Sequence, residues 1–240
     1  MASKYWEWKF RDVKPEVKRE LTPAEKRKNW WDYHLWHVVT GVVLVLIAGG
    51  LLWDALRGGT VKPDYLAAYV GENPLPDTTA LALETALASL GEDLNGDGQV
   101  SVELRQYASG GGNNRQIAMA AALKLNADLE AGESYFFLMD DPESFQRQYG
   151  ALCYLDGSLP PDNDCSVEHS CLRWSDCPAL ASLDLGDYSC QAAGGTAEGD
   201  SQELLSTLYI GRRGFWTEKS AGYAEGCAAL WEIMTAGANP

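Results

Sequence analysis

The chain has 240 residues, of which 46% are apolar and 22% are charged, a composition typical of a folded globular protein. Asp and Glu outnumber Lys and Arg by 34 to 19, which argues against a nucleic-acid partner because phosphate groups require a basic surface. The charge is uneven, since residues 1–30 carry a net +4 and residues 54–240 a net −18.

An apolar run separates these two parts. Residues 35–53 (LWHVVTGVVLVLIAGGLLW) contain no Asp, Glu, Lys or Arg. As a helix they would span about 28 Å, close to the roughly 30 Å hydrocarbon core of a bilayer. Tryptophans lie at both ends of the run, as expected at the headgroup level. The run therefore predicts a transmembrane signal anchor in contact with the lipid bilayer; a cleaved signal peptide or a buried core helix are the alternatives.

The basic residues predict the orientation of this helix. Five of them precede the run within twenty residues, whereas only Arg57 and Lys62 follow it closely. The positive-inside rule then places the N-terminus in the cytoplasm and the acidic part outside the cell. The predicted organisation is a cytoplasmic basic tail (1–34), the membrane anchor (35–53), a linker (54–63) and an extracellular domain (64–240).

Within the outer part, strand and helix patterns alternate three times. Residues 64–71 and 134–139 are continuous apolar runs typical of buried strands, whereas residues 99–107 alternate as in a half-exposed strand. An amphipathic helix follows each strand, the first from Asp77 to about residue 90. This pattern predicts an α/β fold in three layers, with a single parallel or mixed sheet and the strand order 2-1-3.

Residues 151–203 interrupt the alternation. They contain five of the six cysteines with little periodicity, and the sequence predicts a disulfide-braced loop region there. A fourth strand over 204–212 and a last helix from about Thr217 follow. All six cysteines lie in the exported part, which favours disulfides over the zinc alternative. The predicted pairing is Cys153 with Cys227, with two local bridges among Cys165, Cys171, Cys177 and Cys190.

In a doubly wound sheet, ligands bind beyond the carboxyl ends of the strands where the strand order reverses. Here that point lies between the first and third strands. The candidate crevice residues are Gly71, Glu72, Asn73, Asp140 and Asp141, with residues 110–114 nearby. For Asp141 a helix-capping role, and for Asn73 a turn role, are the alternatives.

The loop DLNGDG carries a second candidate site. Asp93, Asn95 and Asp97 occupy positions one, three and five of a calcium loop, and Gln99 can offer its backbone carbonyl. Position twelve is Leu104, so the usual bidentate Glu is missing. The pattern predicts either a weak, structural Ca²⁺ site or a plain turn held by Asp and Asn side chains.

Three segments together resemble the first lobe of bacterial extracellular solute-binding proteins. They are YVGENPLP, the strand that follows DLNGDG, and SYFFLMDDPESF, and the resemblance covers about residues 28–150. It is closest to membrane-anchored, uncharacterised relatives of that family and implies two lobes closing over a ligand. The outer part of this chain is too short for two full lobes. No ligand-binding residues of the family can be assigned to positions in this chain.

These observations favour two functions. The first is a membrane-tethered binding module that holds a small ligand or an envelope partner. The alternative is a structural or assembly protein of the cell envelope with a ligand-free lobe. An enzyme is less favoured, because the sequence has no nucleophile-elbow, zinc-protease or phosphate-loop motif and His169 is the single histidine after the anchor.

Overall fold

The computed structural model describes residues 20–56, 62–110, 115–161, 164, 166–192, 195–214 and 217–238. The chain divides into two compact units, Met1–Val61 and Lys62–Pro240. Parts of three predictions lie outside the described residues: the tail over 1–19, the linker over 57–61, and Cys165.

The first unit contains one long helix, α1 (Pro23–Leu56). Thr22 begins it through a capping box: Thr22 N donates to the Glu25 carboxylate at 2.9 Å, and Glu25 N donates to Thr22 Oγ1 at 3.4 Å. Within Pro23–Trp53, an 18-residue window has a mean hydropathy of 2.2, and the helix is long and apolar enough to cross a membrane. The helix therefore begins twelve residues before the predicted span, within the segment predicted to be a tail, and continues three residues into the predicted linker.

The second unit is built around a five-stranded mixed sheet with the order β2-β1-β3-β7-β4. The first three strands are parallel, with β1 between β2 and β3, as predicted. The half-exposed strand β2 lies at the edge, and β7 pairs antiparallel with both β3 and β4. The strands are β1 (Tyr65–Gly71), β2 (Val102–Ala108), β3 (Phe136–Met139), β4 (Cys171–Arg173) and β7 (Tyr209–Arg212).

Five helices accompany this sheet: α2 (Asp77–Ala88), α3 (Arg115–Ala131), α4 (Pro142–Tyr149), α7 (Glu218–Ala221) and α8 (Ala224–Met234). Four of them, α2, α3, α4 and α8, contribute apolar side chains to two core clusters. One cluster includes Leu83 of α2 and Trp231 of α8, and the other includes Leu125 of α3 and Phe145 of α4. Both clusters also contain sheet residues, so these side chains are buried against the strands, whereas Ile117 at the start of the apolar face predicted for α3 is exposed.

The segment 151–203 is more ordered than predicted. It contains β4, a 3-10 turn (Trp174–Asp176), α5 (Pro178–Ala181), a hairpin of β5 (Asp187–Ala192) and β6 (Gly195–Asp200), and the start of α6 (Ser201–Leu205). The hairpin forms a second, two-stranded sheet, which corrects the expectation of a single sheet. The predicted strand over 204–212 is likewise shorter, because α6 occupies its start.

Long-range hydrogen bonds explain why these short elements escaped the sequence analysis. Gln202 accepts a hydrogen bond from Trp174 Nε1 at 2.9 Å, and its Nε2 donates to the carbonyls of Leu180 and Leu183. Elements of three to six residues are too short to show a hydrophobic period. Tertiary contacts of this kind therefore determine them.

The described cysteines are free thiols, which corrects the disulfide prediction for Cys153, Cys171, Cys177, Cys190 and Cys227. Cys153 and Cys227 both line one cavity of about 160 Å³ but are not bonded to each other. All except Cys190 are buried, and burial raises the pKa of Cys171 and Cys227 to about 12. These thiols act in the structure as small apolar core side chains.

Candidate functional site

The candidate crevice residues follow two neighbouring parallel strands. Gly71 ends β1 and is followed by Glu72, while Asp140 and Asp141 follow β3. Glu72 N donates a hydrogen bond to Asp140 Oδ2 at 2.7 Å, which joins the two strand ends directly. The structure therefore brings the Glu72 backbone into contact with the Asp140 side chain, two residues that are 68 positions apart in the sequence.

A cavity of about 770 Å³ opens at this edge of the sheet, and we call it the crevice. Gly71, Glu72, Asp140 and Asp141 contribute to its lining. The first two turns of α3 and the length of α4 form its walls, and Tyr107 at the end of β2 lies on its floor. Gly110 N donates to the Glu72 carbonyl at 2.8 Å, which holds the loop before α3 close to β1. The predicted residues 111–114 lie outside the described part of the chain.

Asn73 lines a second cavity of about 480 Å³, which we call the side cavity. Glu72 and Asp140 line both the crevice and the side cavity, so these two side chains mark where the cavities meet. The Asn73 carbonyl accepts a hydrogen bond from Tyr69 at 2.9 Å. Burial, together with the nearby Asp140 carboxylate, raises the pKa of Tyr69 to about 12. Asn73 thus contributes its backbone to the turn and borders a cavity as well.

Asp141 is both a helix cap and a crevice residue. Its Oδ1 accepts a hydrogen bond from Ser144 N at 3.0 Å, and Pro142 occupies the first helical position. These hydrogen bonds from Ser144 lower the pKa of the Asp141 carboxyl below its ordinary value. The capping alternative is confirmed, and the side chain still lines the crevice.

The crevice floor rests on a buried polar group that the sequence analysis missed. Asp128 of α3 is 4% exposed and accepts hydrogen bonds from the Tyr107 hydroxyl and from Ser134 N and Oγ, the last at 2.7 Å. Arg105 of β2 lies 3.4 Å from the same carboxylate. Asp128 is three positions after Leu125 and therefore lies on the apolar side of α3. An acidic residue on that side was the signal in the sequence that could have identified this buried carboxylate.

The DLNGDG loop uses its polar side chains to bind its own backbone. Asp93 accepts from Gly96 N and Gly98 N at 2.6 and 2.8 Å, and Asp97 accepts from Gln99 N at 2.8 Å. Asn95 Oδ1 accepts from Asp97 N at 2.8 Å. Hydrogen bonds from the two glycine amides lower the pKa of Asp93. This geometry is that of the plain turn described above.

No cluster of three or more His, Cys, Asp or Glu side chains suited to a metal ion occurs in the described part of the chain. Ca²⁺ binding by Asp93, Asn95, Asp97 and Gln99 therefore stays a prediction.

Asp64 anchors the same loop and was also missed. Its side chain is fully buried and accepts hydrogen bonds from Leu94 N at 2.8 Å, Asn95 N at 2.9 Å and Ser101 N at 2.8 Å. It directly precedes β1, and Ser101 directly precedes β2. A buried carboxylate that is stable only with such partners fixes the entry to both strands.

No family model, curated protein or solved structure matches this chain. The resemblance to solute-binding proteins therefore stays a prediction. The crevice is the feature of the structure that bears on function.

Proposed function

We propose that this chain is a membrane-tethered binding module whose α/β domain holds a small ligand in the crevice. The observation that carries the proposal is the meeting of Glu72 and Asp140, from separate strand ends, at the rim of a 770 Å³ cavity. Small-molecule sites in proteins are commonly about 300–1,000 Å³, apolar inside and bordered by a few convergent polar groups. The crevice has all three properties.

The test is a screen of small molecules by thermal unfolding of the full chain in detergent micelles, followed by intrinsic tryptophan fluorescence. Ala122→Phe places a ring in the crevice, which Ala122 lines, and should abolish the stabilisation by any ligand found. Ala120→Phe is the matched control, because Ala120 is exposed on the same helix and is not among the residues that line the crevice. Ligands whose effect survives Ala122→Phe would contradict the proposal.

The proposal includes the finer topology: a single-pass anchor, a cytoplasmic N-terminus and an extracellular domain. The excess of basic residues before the span supports it. Half-buried Cys190 provides a test, since a membrane-impermeant maleimide should label it in intact cells. Labelling only after lysis would reverse the orientation, whereas labelling only after reduction would indicate a disulfide at Cys190. Cys190→Ser is the control that identifies the labelled peptide.

We further propose a relation to the first lobe of extracellular solute-binding proteins. The three parallel strands in the order β2-β1-β3 support it, together with polar residues at the ends of β1 and β3. A domain with one lobe would bind without closure of a second lobe. Similar ligand affinity in the full chain and in a variant with a shortened 187–200 hairpin would agree with binding by the lobe alone.

A structural or assembly role is the second candidate. It is favoured by the exposed apolar side chains at the start of α3, where Ile117, Met119 and Leu123 are 47%, 60% and 68% exposed. Met119 and Leu123 lie one helical turn apart, and neighbouring exposed apolar side chains of this kind are common where proteins associate. Sedimentation of the full chain in micelles, compared with Leu123→Gln, separates the two roles, because Leu123 is not among the residues that line the crevice. Self-association lost in that variant would favour assembly.

A further inference from the structure

The floor of the crevice is aromatic and firmly packed. Phe145 is 3% exposed, and its ring lies 5.2 Å from that of Tyr149 and 5.0 Å from that of Phe137, measured between centroids. Tyr107 is fixed beside them by its hydrogen bond to Asp128. Such a floor suits an apolar or aromatic group, and its ring faces also attract a cation.

The rim has the opposite character. Glu72, Asp140 and Asp141 carry three carboxylates, whereas Arg115 is the one basic side chain among the described residues that line the crevice. The hydrogen bond from Glu72 N uses Oδ2 of Asp140, and Oδ1 accepts no hydrogen bond from any described residue. Asp140 can therefore accept a further donor without losing its link to β1.

The net charge of the predicted outer part, like the rim, favours cations over anions. Residues 54–240 carry a net −18, and a field of this sign raises the concentration of cations near a cleft and repels anions. An anionic ligand would approach against this field and then lie beside three carboxylates. A neutral ligand could donate hydrogen bonds to the rim but would gain no attraction between opposite charges.

We propose that the ligand of the crevice is an organic cation, an amine with an apolar or aromatic body. Its ammonium group pairs with Glu72 and Asp140, and its body packs on Tyr107, Phe145 and Tyr149. This inference rests on the binding function proposed above. The position of Glu72 and Asp140 between the two cavities also lets a longer amine extend into the side cavity.

The test uses three probes with similar bodies and different charges: 2-phenylethylamine, 2-phenylethanol and 3-phenylpropionate. Binding to the full chain is measured by ligand-observed NMR in nanodiscs of phosphatidylcholine, whose zero net charge removes the electrostatic attraction of the amine to the bilayer, with empty nanodiscs as the reference for partition. We expect the amine to bind about tenfold more tightly than the alcohol and the carboxylate to bind weakest, with the amine alone losing affinity as salt is raised.

Glu72→Gln should weaken amine binding up to about fivefold, the range of one exposed ion pair, and leave the alcohol unchanged. Glu143→Gln is the matched control, since Glu143 is exposed on α4 and is not among the residues that line the crevice. Equal effects of the two variants would overturn the inference.

The outcomes for the inference and for the binding function can be told apart. If the alcohol or the carboxylate binds at least as tightly as the amine, and Ala122→Phe abolishes that binding, the inference is wrong and the binding function stands. If none of the three probes binds, the charges of the other compounds that bind in the screen decide the matter. The inference is wrong if most of those compounds are neutral or anionic. If no compound of any charge binds, the proposed function itself fails.

Discussion

Asp141 illustrates how one side chain serves both the fold and the site. Its position directly after β3 places it at the crevice, and its carboxylate caps the first turn of α4. Because the helix N-terminus favours a negative charge, the cap is strongest when Asp141 is ionised. The same ionised group contributes to the acidic rim.

We expect Asp141→Ala to lower the free energy of unfolding by about 0.5–2 kcal/mol at pH 7, as for other lost N-caps. The pKa of Asp141 is lower in the folded chain than in the unfolded chain. The stabilisation is therefore fully present above the unfolded value of about 3.9 and is lost as the pH falls through the folded pKa. Urea unfolding at pH 7 and near pH 2 measures the difference between variant and wild type. Glu143→Ala, which removes an exposed acid from the same turn, is the control; an equal loss there would contradict the capping role.

The two hypotheses for the DLNGDG loop differ in their response to Ca²⁺. Since Asp93 already accepts hydrogen bonds from Gly96 N and Gly98 N, we expect the wild type and Asp93→Ala to show the same change in melting temperature on addition of Ca²⁺. The measurement is a thermal melt with and without about 5 mM Ca²⁺, above the range typical of weak extracellular sites. A rise in wild type that is absent from Asp93→Ala would instead establish a calcium site.

At the scale of elements, the DLNGDG loop and α8 pack directly on each other. A Cβ atom at Gly226 of α8 would lie 2.3 Å from Leu94 Cδ2 and 3.0 Å from Leu94 Cγ. Leu94 cannot withdraw freely, because its side chain packs against the core cluster that includes Trp231 and its backbone N donates a hydrogen bond to Asp64. The close approach of helix and loop thus depends on a residue without a side chain.

Gly226→Ala should therefore destabilise the protein by about 1–3 kcal/mol through overpacking, although alanine favours helices by about 1 kcal/mol. In the double variant Gly226→Ala/Leu94→Ala, the loss of free energy of unfolding should be smaller than the sum of the losses in the two single variants. A double-mutant cycle by urea unfolding measures this difference. Gly222→Ala is the control, because nothing lies within 4 Å of a Cβ atom at that position. Additive effects of the pair would show that Gly226 and Leu94 do not interact.

At the scale of the whole molecule, both core clusters are formed by residues after Lys62. The described helix α1 contributes no residue to either cluster, and its apolar window is not buried within the protein. The second unit therefore contains the contacts that stabilise its fold.

We expect a fragment of residues 62–240 to unfold at the same urea concentration as the second unit of the full chain. A fragment of residues 65–240 is the matched comparison, since it lacks Asp64 and leaves the amides of Leu94, Asn95 and Ser101 without their shared acceptor. It should be less stable by about 1–3 kcal/mol, because these part-buried amides lose their shared hydrogen-bond acceptor. Equal stability of the two fragments would contradict the anchoring role of Asp64.

Several features of this protein were determined by local sequence alone. Residues 35–53 are apolar enough to predict a membrane helix without any tertiary contact, and the capping residues Thr22 and Asp141 mark helix starts. The apolar runs of β1 and β3 and the alternation of β2 predict their order, because a buried strand must have neighbours and a half-exposed one can lie at an edge. The crevice position follows from that order.

Other features of the protein depend on contacts between residues far apart in the sequence, and only the tertiary structure determined them. Gln202 connects elements of 151–203 that are too short to be periodic, and Asp64 and Asp128 are buried because backbone amides and hydroxyls from other segments surround them. The state of Cys153 and Cys227 likewise depends on how two distant segments meet, which their spacing cannot reveal. Hydrophobic period and capping act within a few residues and can be read from the chain. Burial of a polar group is favourable only when its partners are in place, so only the folded molecule determines it.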